Sequence, residues 1–321
     1  MALSLLEHVR QSCGEVADRA SHVRIRYDKI HPYAGTLAHK RYEKPQIDPA
    51  SHYLGHEKDT VAFLLTLDAI NFGSGYSPYL KKRKGMSGYF TIASRLSDCF
   101  KKRPLTPQDL ERITASDCFK LFKQNKKNPT ISELMDLFAV ALNDLGRYVI
   151  ENFQGDFAVL VEAAGSSALR LVEILVRMPF FKDVEYYQGM DVAFFKRAQI
   201  LAADLSLAFD GKGLGAFHDL HRLTMFADNL VPHVLRVDGI LEYEENLAWR
   251  IDHEEIIPSG SAEEVEIRAC SVQAVELLVE AMGGLEHGVT AMLLDNMLWN
   301  RGQQPYYKMI KPRHRTRTVF Y

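Results

Sequence analysis

The stretch NPTISELMDLFAVALNDLGRYVI, from Asn128 to Ile150, dictates the kind of fold this chain can adopt. Thr130 and Glu133 stand at capping-box spacing, and a long apolar face follows at helical period. A helix of this length is marginal alone in water and must bury its apolar face against other elements. The same signature recurs along the chain. EKDTVAFLLTLDAINF follows Gly55 and runs apolar at 61, 64, 65 and 68 to 72, with Asp68 intruding. LTPQDLERI has Thr106 as an N-cap, Pro107 in the first turn and Asp109 near the positive helix end. DFAVLVEAAGSSALRLVEILVRM is a helix interrupted by Gly165, Ser166 and Ser167. SGSAEEVEIRACSVQAVELLVEAMGG pairs Ser261 with Glu264 at its start and ends at Gly283-Gly284. Strand signals are weak: GYFTIA (Gly88 to Ala93) and VRIRYD are the two candidates. The region from Arg26 to Ala50, with Pro32, Pro45 and Pro49, is the most loop-like. The expectation is a mostly α protein with few or no short strands, one helical domain over residues 1–321, of which 1–50 form an irregular N-terminal portion.

Composition narrows the function classes. The chain has 321 residues, 47% hydrophobic and 25% charged, enough for a large core. Its net charge of -2 supplies no global basic field, so a stable nucleic-acid complex with a large duplex footprint is not expected. Cys13, Cys99, Cys118 and Cys270 are far apart and form no CxxC pair, the pattern of free thiols in the cytoplasm. The start is broken early by Glu7, His8 and Arg10 and does not have the form of a signal peptide. No run approaches the roughly 18 apolar residues of a membrane span. A cytoplasmic monomer acting on something small, with no membrane partner, is the expectation.

Three stretches carry candidate chemistry. In FFKRAQILAADL, positions 196, 200, 203 and 207 share one helical face, and Lys196 is the cation on that otherwise apolar stripe. A lysine there must snorkel, pair with a carboxylate for structure, or shift its pKa for function. In LTMFADNLVPHVLR, Asp228 precedes Pro232 by four residues. Either it caps the helix that Pro232 opens, or the break leaves it facing a cavity. In AMLLDNMLWNRGQQPYYK, Asp295, Asn296 and Asn300 interrupt an apolar helix; they either look at solvent or grip a cation and hydroxyls. The ending KPRHRTRTVFY clusters Arg313, His314, Arg315 and Arg317, a phosphate clamp or a solvated basic tail. HExxH, P-loop, GxGxxG and nucleophile-elbow patterns are all missing from the sequence, and the pairs His52/His56 and His218/His221 lack a third metal ligand.

Taken together, LDAINFG, SGYF, FFKRAQILAADL, LTMFADNLVP, EEVEIRACSVQAVELL and PRHRTRTVFY resemble the queuosine salvage family, the queuosine 5′-phosphate N-glycosylases, from about His52 to Tyr321. Two departures from the family pattern stand out. Gly73-Ser74-Gly75 replaces aromatic residues of many relatives, and Asn300 replaces an acidic one. The resemblance implies an all-helical fold related to helix–hairpin–helix DNA glycosylases. It implies hydrolysis of queuosine 5′-monophosphate to release queuine, without metal or organic cofactor. It makes Asp228 the catalytic carboxylate and places Phe226 on the base. Asp295, Asn296 and Asn300 would line the base pocket. His52, with His56 as rival, would contact ligand. Phe72 and Tyr89 of the recurring motifs, and Arg315 of the basic cluster, complete the expected substrate contacts. Lys196 would act on Asp228, keeping it ionised or positioning water. Two readings compete: a non-catalytic nucleotide or nucleic-acid binding module, and a helical scaffold in which Lys196 and Asp228 only satisfy each other.

Overall fold

A computed structural model describes residues 3–38 and 45–321. Helices α1 (Leu5–Arg19), α2 (Tyr27–Ala38), α3 (Glu57–Ala69), α4 (Gly88–Phe100), α5 (Pro107–Arg112), α6 (Ala115–Phe122) and α7 (Pro129–Asn152) build the first half. The second half holds α8 (Phe157–Glu162), α9 (Ala168–Leu175), α10 (Lys196–Ala208), α11 (Val231–Val237), α12 (Glu245–Asp252), α13 (Ala262–Ala281), α14 (Ala291–Gly302) and α15 (Pro305–Met309). Strands are short. β1 (Val23–Ile25) pairs antiparallel with β4 (Leu241–Tyr243), Val23 opposite Tyr243. β2 (Val184–Tyr187) and β3 (Met190–Ala193) form a hairpin whose two turn residues, Gln188 and Gly189, both have positive φ, the geometry that fits strand twist. One hydrophobic core runs through the elements from Leu6 of α1 to Tyr307 of α15.

Most helix starts follow the local chemistry. Thr106 caps α5 in a reciprocal box with Asp109, and Ser261 caps α13 by accepting from the Glu264 N–H. The 165–167 interruption separates α8 from α9, where Ser167 is the new N-cap. Three expectations need correction. The cap of α7 is Asn128, whose side chain accepts from the Ile131 N–H, and Thr130 lies inside the helix. GYFTIA is the first turns of α4, not a strand, because Ser87 accepts from the Phe90 N–H and nucleates a helix. The N-terminal portion is not irregular: α1 begins at a Ser4/Glu7 capping box, and α2 carries Pro32 within it. Part of the expected 26–50 loop, residues 39–44, lies outside the described residues.

The C-terminal segment is docked. Gly73 and Ser74 donate backbone N–H groups to the Tyr321 carbonyl at 3.0 and 3.4 Å. A Cβ on Gly75 would meet the Thr316 carbonyl oxygen at 2.2 Å, so only glycine admits that approach. The Gly73-Ser74-Gly75 run is therefore where the chain's end packs against the loop after α3. No helix among the described residues is long and apolar enough to cross a membrane.

Candidate active site

A cavity of about 910 Å³ lies between α3, α4, α10, α14 and the segments around residues 226–229 and 308–315. The stripe of α10 forms one wall: Lys196, Ile200, Ala203 and Leu207 all face it. The apolar face thus borders a hollow as well as the core, which accounts for a lysine on it. Lys196 is 6% exposed, and its Nζ reaches the Asn71 carbonyl at 3.5 Å. No direct ion pair joins Lys196 to Asp228 among the described residues. Burial pulls the Lys196 pKa down, while the charge of Asp228 supports the ammonium from across the site.

The segment from Leu223 to Leu230 carries Phe226 and Asp228, and three helices fix its course. Gln199 of α10 exchanges hydrogen bonds with Thr224, its Oε1 accepting the Thr224 N–H at 2.8 Å. Asp295 of α14 accepts the Phe226 N–H at 3.0 Å. Arg268 of α13, wholly buried, donates from Nε to the Ala227 carbonyl at 3.0 Å and bidentately to Asp183 at 3.0 and 2.6 Å. Asp183 in turn accepts the Lys196 N–H at 3.1 Å, at the start of α10. One guanidinium therefore braces both the helix that begins at Lys196 and the loop that ends at Asp228. The motif EEVEIRACSV held this residue, but a positioning role needs tertiary partners that sequence does not display.

Asp228 is not the N-cap that one reading of its sequence context expected, but it does border the cavity that the other expected. Its Oδ1 accepts from the Leu230 and Val231 N–H groups at 2.7 and 3.1 Å, in the turn that leads into α11, whose N-cap position is Leu230. The same carboxyl group is part of the cavity wall. Asp295, 5% exposed, is pushed well above the usual carboxylate range by burial first and then by the neighbouring Asp228 charge. Both influences disfavour its charged form. Asn296 lines the cavity, and Asn300 sits at its rim, donating to Asn296 at 2.9 Å.

His52, Phe72 and Tyr89 border the opposite side. His52 uses both ring nitrogens: Nδ1 faces the Asp48 carbonyl at 2.9 Å, and Nε2 the Tyr89 hydroxyl at 2.8 Å. That pattern fits a neutral ring donating to Asp48 and accepting from Tyr89. His56 is exposed and not part of the wall. Among the described residues no group of three or more His, Cys, Asp or Glu side chains is placed to hold a metal ion.

The C-terminal basic cluster divides. Arg313 and Arg315 line the cavity with Lys308 and Lys311. The Arg315 guanidinium is already bonded to the Glu254 carbonyl, whereas Arg313 has no hydrogen-bond or ion-pair partner among the described residues. Arg317 turns away to Glu133 and Thr130, and His314 is buried beside Tyr321 with its pKa driven down to about 3. Neither belongs to a clamp. The residue that sequence reasoning passed over is Asp204, which borders the cavity at the edge of the α10 stripe. Burial raises it to about 7, and it is linked to the fully buried Asp68 of α3, whose Oδ2 has no hydrogen-bond partner among the described residues. A polar residue flanking an apolar helical stripe was its only signal.

The model of the queuosine salvage protein family matches residues 51–321. The chain belongs to that family. Its relatives cover it nearly end to end. The queuosine 5′-phosphate N-glycosylase/hydrolase of Sphaerobacter thermophilus is 38% identical over 312 residues, 95% of each chain. Proteins of the same name from Dictyostelium discoideum and Nematostella vectensis are 30% and 29% identical, covering 99% and 96% of this chain and 95% and 93% of their own. The matched region contains every cavity residue discussed above from His52 onward.

Proposed function

We propose that the chain hydrolyses the N-glycosidic bond of queuosine 5′-monophosphate, releasing queuine. The observation that carries this reading is that Asp228 and a buried lysine, Lys196, border one braced cavity, in a chain whose full-length relatives bear that activity in their names. As the C1′–N bond breaks, positive charge develops on the ribose. A fixed carboxylate against C1′ stabilises that charge, strongly so where water is scarce. Water oxygen then bonds to C1′, its proton is lost, and the departing base nitrogen gains one, leaving queuine and ribose 5-phosphate.

Queuine is a 7-deazapurine and lacks the ring nitrogen that would take a proton, so its departure depends on hydrogen bonds at other edges. Asp295, Asn296 and Asn300 line one stretch of the wall and supply those hydrogen bonds. Phe226, Phe72 and Tyr89 flank the base, and His52 orients Tyr89. Queuine's secondary amine is cationic, and Asp204 at the far end of the stripe is its carboxylate partner. Arg313, an unpaired guanidinium at the other end, takes the 5′-phosphate, with Arg315 in support. Lys196, whose ammonium the Asp228 charge supports, positions water beside that carboxylate. The protein works as a cytoplasmic monomer, in keeping with four unpaired cysteines.

The test is incubation with queuosine 5′-monophosphate and mass detection of queuine and ribose 5-phosphate. Release of both supports the reading. Tight binding of intact nucleotide with no release would overturn it in favour of a binding module.

A further inference from the structure

The net charge of -2 hides a segregation along the chain. Residues 81–127 hold 13 Lys and Arg against 4 Asp and Glu, a balance of +9, while the rest hold 26 against 37, a balance of -11. Three clusters supply the positive charge: Lys81 to Lys84, Lys101 to Arg103 after α4, and Lys123 to Lys127 before α7. Specific bonds bring them onto one face. Arg83 pairs with Asp98 near the end of α4, which places the first cluster beside the second. The Lys81 N–H donates to Gln124 Oε1 at 2.9 Å, and Gln124 Nε2 donates back to the Lys81 carbonyl at 3.3 Å, which places the first beside the third.

Few acids neutralise this face. Arg103 pairs with Asp109, and Lys120 with Asp117. The side chains of Lys81, Lys82, Lys84, Lys101, Lys102, Lys123 and Lys127 are exposed and have no ion pair or hydrogen bond among the described residues. Like charges so concentrated repel one another, and a polyanion laid across them relieves that repulsion while releasing its own counterions. The face also reaches the active site, since Lys82, Gly85 and Met86 form part of the cavity rim.

We propose that this face binds the phosphate backbone of RNA, holding the enzyme transiently on the polymer beside its cavity mouth. The choice of RNA rests on the proposed function: a ribonucleotide 5′-monophosphate with a modified base is supplied by hydrolysis of an RNA chain. It also rests on the surface itself. Residues 81–127 expose no large hydrophobic side chain to insert into a bilayer, while Tyr79 at the patch edge is 46% exposed and offers a ring for base stacking. Whole-chain charge argues against a stable, extensive complex; its distribution supports a local, salt-sensitive one.

The test is fluorescence anisotropy of a labelled, unmodified single-stranded oligoribonucleotide over a salt series. The proteins compared are wild type, the variant K81E/K84E/K101E/K102E and a control variant R147E/K182E/K212E, all checked for native circular dichroism. Wild type and control should bind with Kd of about 10⁻⁴ to 10⁻⁶ M, weakening steeply with salt. The patch variant should bind at least tenfold more weakly, with a log–log salt slope shallower by about 3, at roughly 0.7 for each phosphate no longer neutralised. Equal binding by wild type and patch variant, or no binding by wild type at low salt, overturns the proposal. So does a wild type that binds phosphatidylserine vesicles and is not displaced by RNA, which would assign the face to a membrane. Turnover of queuosine 5′-monophosphate is read separately and should be equal in all three proteins. If no protein turns it over, the proposed function fails while the RNA result stands on its own.

Discussion

Replacing Asp228 by Asn and by Ala separates its two duties. The Oδ1 atom accepts from the Leu230 and Val231 N–H groups, at 2.7 and 3.1 Å, and so holds the turn that leads into α11. Asn keeps an acceptor in the same place, so D228N should change stability by no more than a few tenths of a kcal/mol. Ala removes it and leaves two backbone donors without their partner, at a cost of about 1 kcal/mol. For a chain of this size that lowers Tm by about 2 °C. Turnover should not follow stability. Both variants lose the negative charge opposite the developing cation, so both should lose at least about 10²- to 10³-fold in kcat, equivalent to about 2.7–4 kcal/mol of transition-state stabilisation. The assays are differential scanning fluorimetry and timed mass detection of queuine, with nucleotide affinity measured by calorimetry. If D228N turns over like wild type and only D228A falls, in step with its Tm, Asp228 only holds the turn before α11 and the catalytic assignment is refuted.

Three further outcomes are expected. Lys196→Met should leave Tm unchanged or raised, because it removes a buried ammonium with a single long hydrogen bond, yet lower kcat by about 10²-fold; a fall in Tm with normal kcat would make the lysine structural. Arg313→Gln should lower kcat/KM for the 5′-monophosphate by about 10- to 100-fold, the worth of roughly 1.5–3 kcal/mol in charged hydrogen bonds, and leave the free nucleoside unaffected; equal losses on both substrates would move the phosphate elsewhere. Asp204 titrates at about 7 in the folded chain against an ordinary 3.8, so the unfolded state gives up its proton first. Its contribution to stability is therefore fully present below pH 3.8 and is lost as pH rises through 7. Tm of Asp204→Asn should match wild type near the bottom of that window and exceed it above the top, and parallel Tm–pH curves would count against the buried carboxyl pair.

Helix content was legible because caps and apolar period agree along most of the chain, as at Thr106 and Ser261. α4 was not, since aromatic and β-branched residues in GYFTIA favour a strand locally, and the Ser87 cap decides otherwise. α2 was obscured by Pro32, which costs a helix one donor but does not forbid it when Ile30, Tyr33, Ala34 and Leu37 are buried against the core. Among site residues, Lys196 and Asp228 announced themselves as charges in apolar runs. Asp204 did not, because one aspartate on a helix carries no mark of the tertiary burial that raises it, or of the carboxyl group of Asp68, distant in sequence, whose pKa it raises in turn. The split of the C-terminal arginines was equally hidden: Arg313 and Arg317 are alike in sequence, and only the docked course of the chain sends one to the cavity and the other to Glu133. The basic face went unseen because whole-chain charge averages over it.

The most direct test of a carboxylate set beneath the reacting sugar is a crystal structure of the D228N protein with queuosine 5′-monophosphate bound. The expected result is residue 228 about 3–3.5 Å from C1′, with the phosphate on Arg313 and the base between Phe226 and Asp295. A nucleotide whose ribose lies on another wall of the cavity, with residue 228 engaged only by α11, would contradict it.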